Sequence, residues 1–253
     1  MLVGVVQLFF SAAFIMQWPF AINLWPFPGT TPLTYLLVGS IFAAAGASTL
    51  WAVGSGNLGA LAGIGLDYLT IMTPLAIYGF LLPEDSANVQ RATVIIACLG
   101  GALFGVALFL WSVRIPLDAR RPMPSPVRWS FVVFVLALVF FGGRLILQTP
   151  NIIPWSITPQ LSVLIGWMFL GAAVYFAYGV LRPSWTNAAG QLVGFLAYDI
   201  VLIVPFLSRL PTVAPEHRLG QIIYIVVVIY SGLLAIYYLF INERTRVTLA
   251  FRS

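Results

Sequence analysis

Two dipeptides carry most of the chemistry this sequence can offer: Asp67-Tyr68 and Tyr198-Asp199. Each lies deep in a long apolar run. A carboxylate at the bilayer centre costs about 2.5 to 3.5 kcal/mol on insertion scales, so each must face protein or water rather than lipid. Such a group binds a proton or another cation, and an adjoining phenol can share a hydrogen bond with it. Both pairs sit in one frame: Gly-x-x-x-Gly-x-x-x, the Asp-Tyr or Tyr-Asp pair, five residues, then Pro. In the first copy Gly59, Gly63, Asp67, Thr70 and Pro74 step by 4, 4, 3 and 4, the spacing of one helix face. In the second, Asn187, Gln191, Gly194 and Tyr198 make the matching stripe. Gly59, Gly63, Gly190 and Gly194 suit close helix approach, while Pro74 and Pro205 act as helix breaks that free a carbonyl.

The functional reading of these residues is a polar seam between two halves of the molecule. Asp67 and Asp199 are then proton or cation sites, with Tyr68, Thr70, Gln191 and Tyr198 as hydrogen-bonding neighbours. The structural alternative is that each Asp is held by a nearby Tyr and only fastens helices together. Arg144 is the third charged side chain inside an apolar run. Four residues before Gln148, it reads as reaching the outer interface, with neutralisation of an Asp as its other use.

Other chemistries are excluded by what is missing. All 12 basic residues are Arg, so no Schiff base and no P-loop Lys is available. One His and one Cys cannot assemble a multi-ligand zinc site or an intrachain disulfide. His217, between Glu216 and Arg218, reads as a solvated loop residue, and Cys98 as a small buried hydrophobe. Glu84, Asp85 and Arg91 read as a solvated loop cluster. No hydrolase arrangement surrounds His217, so a non-catalytic protein is expected, and no cofactor is required.

The elements that must position the two Asp residues follow from composition. Of 253 residues, 61% are hydrophobic and 8% charged, with a mean hydropathy of +1.01, which fits an all-α integral membrane protein. Pro, Gly, Asn and charge clusters divide the chain into eight runs of spanning length: Leu2 to Leu24, Leu33 to Val53, Leu58 to Leu82, Thr93 to Val113, Trp129 to Gln148, Leu161 to Leu181, Trp185 to Leu207 and Leu219 to Ile241. The first lacks a basic n-region and reads as a retained helix. Asp67 lies nine residues inside its run, roughly 14 Å at 1.5 Å per residue.

Arg distribution gives an orientation. Eight Arg fall in the loops after the second, fourth and sixth runs and in the C-terminal tail, against three on the other side. That asymmetry favours cytoplasmic N- and C-termini in a bacterial-type cytoplasmic membrane. It also accounts for the net charge of +5 without invoking nucleic acid.

The chain also repeats itself. Thr31-Pro32 falls on Thr158-Pro159 at an offset of 127 residues, and Gly39 then falls on Gly166. Gly59, Gly63 and Pro74 fall on Gly190, Gly194 and Pro205 at 131, and Arg91 and Gly105 fall on Arg218 and Gly232 at 127. The expected layout is two parallel-repeat four-helix halves, residues 1–115 and 129–253, joined by a Pro- and Arg-rich linker over 116–128. The pseudo-twofold axis then runs along the membrane normal. Duplication with midplane carboxylates points to a small carrier of a weakly polar or amphipathic solute, proton-linked through the Asp residues. The competing expectation is an accessory subunit of a respiratory or photosynthetic membrane complex. Membrane lipids are the expected partners, with a homodimer or a larger assembly beyond them.

Overall fold

A computed structural model of the chain describes residues 1–82, 91–118 and 120–247. The expectations for Glu84, Asp85 and Arg252 lie outside the described residues. Nine α-helices are described: α1 (Leu2–Ile15), α2 (Pro19–Leu24), α3 (Pro32–Gly54), α4 (Leu61–Leu81), α5 (Arg91–Ser112), α6 (Ser125–Ile146), α7 (Pro159–Leu181), α8 (Trp185–Arg209) and α9 (Pro215–Ile236). A 3₁₀ turn, Leu58–Ala60, leads into α4, and a π turn, Tyr237–Ile241, extends α9. Helices α3 to α9 are long and apolar enough to cross a membrane, which makes this a polytopic membrane protein.

The first apolar run corrects the expectation of eight unbroken spans. Leu2 to Leu24 is not one helix: α1 has 14 residues, shorter than a span, and α2 follows after a break. The cause is local. Gln17 adopts a left-handed φ of 52°, Gln17 N–H donates to Phe14 O, and Trp18 N–H donates to Ala13 O. That pairing is a Schellman stop, and Pro19 next removes any donor that would restart the helix in register. Helix α6 ends in the same way. Gln148 has φ 53°, Gln148 N–H donates to Leu145 O, Thr149 N–H donates to Arg144 O, and Pro150 follows.

Helix starts follow the Thr-Pro signal. Pro32 and Pro159 occupy the first turn of α3 and α7, and the Thr158 hydroxyl accepts the Leu161 N–H at 3.2 Å, whereas Thr31 makes no side-chain cap. Neither Pro74 nor Pro205 breaks its helix. Both lie inside α4 and α8, which continue beyond them. Each proline removes one donor, but the neighbouring amides have no water to turn to and keep their helical partners.

The long helices pack as two rows. One runs α5, α4, α7, α6 and the other α1, α3, α8, α9, each helix contacting the next. Contact between α3 and α4, and between α7 and α8, is slight by comparison. Residues 1–115 and 129–253 are therefore not two separate bundles: each contributes one helix pair to each row. Lipid offers no hydrophobic gain for pairing, so close approach at small residues holds helices together. A Cβ on Gly39 would lie 2.9 Å from Ile15 Cγ1 and 3.1 Å from Ser11 O. One on Gly166 would lie 2.7 Å from Ile146 Cγ1 and 2.8 Å from Gly142 O.

The rows meet through apolar clusters, one joining Leu33 and Leu37 to Ile165, Leu202 and Phe206. At one end of the molecule the linker is tied down rather than loose. Met123 N–H donates to Pro183 O, Trp185 N–H to Arg121 O, and Ser184 Oγ to Asp118 O at 2.7 Å. At the other end Thr30 Oγ1 donates to Ser156 O at 2.6 Å, and Trp155 Nε1 to Thr34 Oγ1 at 3.3 Å.

Candidate functional site

Four helices, α3, α4, α7 and α8, converge at mid-length, and each supplies one polar group to a continuous series. From α4, the Asp67 carboxyl projects onto bare backbone at Gly171 of α7, where an added Cβ would collide with Asp67 Oδ1 and Ile71. From α7, the Tyr175 hydroxyl lies within electrostatic reach of Asp67 and pairs with the Ser48 hydroxyl of α3. Ser48 Oγ in turn donates to Gly190 O of α8 at 2.9 Å. Glycines make this convergence possible. Cβ atoms on Gly63 would fall 2.9 Å from Tyr175 Cδ2 and 3.0 Å from Tyr178 Cδ1, and one on Gly194 would strike Ser48 Oγ.

Asp67 accepts no hydrogen bond and meets no cation among the described residues, and it is only half-buried. Around it the molecule holds several polar atoms without partners. Gln191 is 1% exposed; its amide donates to Tyr175 O while its Oε1 is unpaired. Asn187 is fully buried with Oδ1 unpaired, and the Trp51 indole N–H and Thr49 hydroxyl likewise lack partners. Unpaired buried groups cost on the order of 1 to 3 kcal/mol each, so their gathering near one carboxyl is unusual for a purely structural interior.

The series is approached from the linker end. A cleft of about 230 Å³ lies between Gly56, Asn57, Gly59, Leu117, Asp118 and Thr186. The linker crosses α4 closely there, for a Cβ on Gly59 would sit 2.6 Å from Ile115 O. From Gly59 to Asp67 is about 12 Å along α4, at 1.5 Å per residue.

The two Asp residues do not share a seam. Asp199 is 4% exposed and faces α9, where Ser231 Oγ donates to its Oδ1 at 3.0 Å and Gly232 leaves room for it. Tyr198 turns to Tyr224 of α9, their hydroxyls 2.9 Å apart, and Tyr68 receives the Gln7 amide at 2.7 Å. Neither Tyr holds the adjacent Asp, because consecutive helical residues point about 100° apart. Thr70 donates back to Leu66 O on its own helix at 2.9 Å, and Arg144 is exposed on the last turn of α6. His217 lies half-buried in the first turn of α9 rather than in a loop, and Cys98 is buried beside Ile71 and Leu75.

Of the sequence candidates, then, the structure brings together Asp67, Gln191, Gly63, Gly190 and Gly194. It sets Asp199, Tyr198, Tyr68, Thr70 and Arg144 apart from them. Tyr175, Ser48 and Trp51 were missed. The signal that would have found the first two is the repeat itself, because Ser48 falls on Tyr175 at the offset of 127. No family model, curated protein or solved structure matches this chain.

Proposed function

We propose that this protein is a small membrane carrier for a weakly polar or amphipathic solute, proton-linked through Asp67. It sits in a bacterial-type cytoplasmic membrane with both termini and the linker cytoplasmic. The observation that carries the reading is the series Asp67, Tyr175, Ser48 and Gly190 O, one group from each of four converging helices, beside an unpaired carboxyl at mid-depth. Carriers place their site at the interface of repeated halves, with closures on both sides. Here the linker ties cover one end and the Thr30–Ser156 and Trp155–Thr34 contacts cover the other.

Duplication is supported by more than sequence offsets. Exchanging α1, α3, α4 and α5 with α6, α7, α8 and α9 turns one helix row into the other. The Gly39 and Gly166 contacts are the same pair of atoms shifted by the offset, and Ser48 and Tyr175, which touch, are each other's counterparts. A residue touching its own counterpart lies on the axis relating the copies, so the site belongs to that axis.

The test is uptake by proteoliposomes. Solutes bearing an apolar body and one polar group should enter down an imposed proton gradient, and Asp67→Asn should lower the rate at least tenfold. Asp67→Glu should keep part of it, and both variants should elute as a single species. Full uptake by Asp67→Asn removes the mechanism.

A second reading rests on α5 and α6, whose spanning windows are only 17% and 28% buried. These outer faces offer room for partner helices of a larger membrane complex, or for a second copy. Stoichiometric foreign subunits retained by native mass spectrometry after mild extraction would favour it over the carrier.

A further inference from the structure

The midplane carboxyls are chemically different, and the difference points to the charge of the solute. Asp199 is closed off, with one oxygen held by the Ser231 hydroxyl. Asp67 is accessible, with no donor on either oxygen among the described residues. Counter-charge is also missing from its surroundings. Helices α3 and α7 contain no Asp, Glu, Lys, Arg or His, and α5 carries only Arg91, in its first turn, reaching Phe80 O at 3.1 Å. The titratable groups facing Asp67 are the Tyr175 phenol of α7 and the neighbouring Tyr68 of α4, neither of them cationic.

A carboxylate at this depth without a counter-ion is costly, so it is neutral until a cation takes the place of its proton. The walls decide which cation. Tyr175 and Tyr178 pack over Gly63, Trp51 lies against Gly190, and Ile71 lies beside the carboxyl. Aromatic faces attract organic ammonium groups, and the aliphatic wall accepts an apolar body. A bare metal ion needs about six oxygen ligands, and one carboxyl with one phenol falls well short.

We infer that Asp67 is the binding site of a monovalent organic ammonium with an apolar body, taken up in exchange for the proton on Asp67; this rests on the carrier reading. Protonated Asp67 loses its proton as the already charged ammonium binds, giving an ion pair and one released proton with no change in net charge. Asp199 takes no part.

The experiment uses the purified full chain in weakly buffered detergent with a pH indicator. Benzylammonium and trimethylphenylammonium are added in turn, then sodium and potassium alone. About one proton released per bound organic cation is expected in the wild type and in Asp199→Asn. None is expected in Asp67→Asn, with release restored in Asp67→Glu. Proton release by sodium or potassium but not by the organic probes, release that survives Asp67→Asn, or no release by any probe overturns the inference. The carrier reading is tested separately with tert-butylbenzene, the uncharged isostere of trimethylphenylammonium. Its Asp67-dependent entry into liposomes would leave a carrier standing while removing the cation; an absence of any Asp67-dependent transport, alongside retained partner subunits, would remove the carrier itself.

Discussion

At the scale of single residues, Asp67 depends on a glycine it faces across a helix interface. Gly171 has no side chain where the Asp67 carboxyl and Ile71 lie, so Gly171→Ala should push the carboxyl out of its notch. Overpacking of this size costs about 1 to 3 kcal/mol. Uptake by Gly171→Ala should fall several-fold with the protein still folded, as read by liposome flux beside a thermal unfolding scan; unchanged flux would show that the notch does not position Asp67. The sequence made Asp67 and Gln191 legible because a charge or an amide in an apolar run has few innocent explanations. It hid Tyr175 and Ser48 because tyrosine and serine are ordinary in such runs. Their meaning lies in touching each other across 127 residues, which only the fold reveals. Asp199 was misleading for the converse reason: depth was readable, but the helix it faces was not.

Element boundaries were legible where proline or threonine punctuated the chain and obscure where a left-handed residue did the work. Thr-Pro marked the starts of α3 and α7, yet Gln17-Trp18-Pro19 and Gln148-Thr149-Pro150 passed unnoticed as stops, although they lie 131 residues apart. Glutamine in the left-handed region is strained by its Cβ, and glycine is not. Gln17→Gly and Gln148→Gly should each therefore raise stability by up to about 1 kcal/mol, less the extra freedom glycine gives the unfolded chain. Thermal unfolding in detergent reads this directly. A lower melting temperature in either variant would mean that the glutamine side chain supplies a compensating contact. The prolines inside α4 and α8 show the limit of a rule learned from water, since lipid leaves interrupted helices nothing better to do.

For the whole molecule, composition settled the membrane class and patterning found seven of the spans, but no pattern could tell which helices become neighbours. Pairing is set by which small-residue faces meet, and α3 and α4 meet α8 and α7 instead of each other. A carrier built this way must part its rows at alternate ends. Thr30→Cys with Ser156→Cys, in a Cys98→Ala background, places two thiols at the contact opposite the linker. Joining them with a short bismaleimide should stop uptake, and the single-cysteine controls should continue to transport after the same treatment. Continued flux through the joined protein would exclude opening at that end.

The exchange of partners between rows has a consequence during synthesis. Asp67 is covered by Gly171 and Tyr175, which leave the ribosome about 100 residues later. At roughly 5 to 20 residues per second that is on the order of 5 to 20 s. Throughout this interval the nascent first half holds its most polar face toward the insertion machinery or the lipid, with nothing of its own to shield it. Chains that stall before α7 emerge will thus be the ones a membrane protease recognises, and quality control of this protein will act on translation speed as much as on final stability.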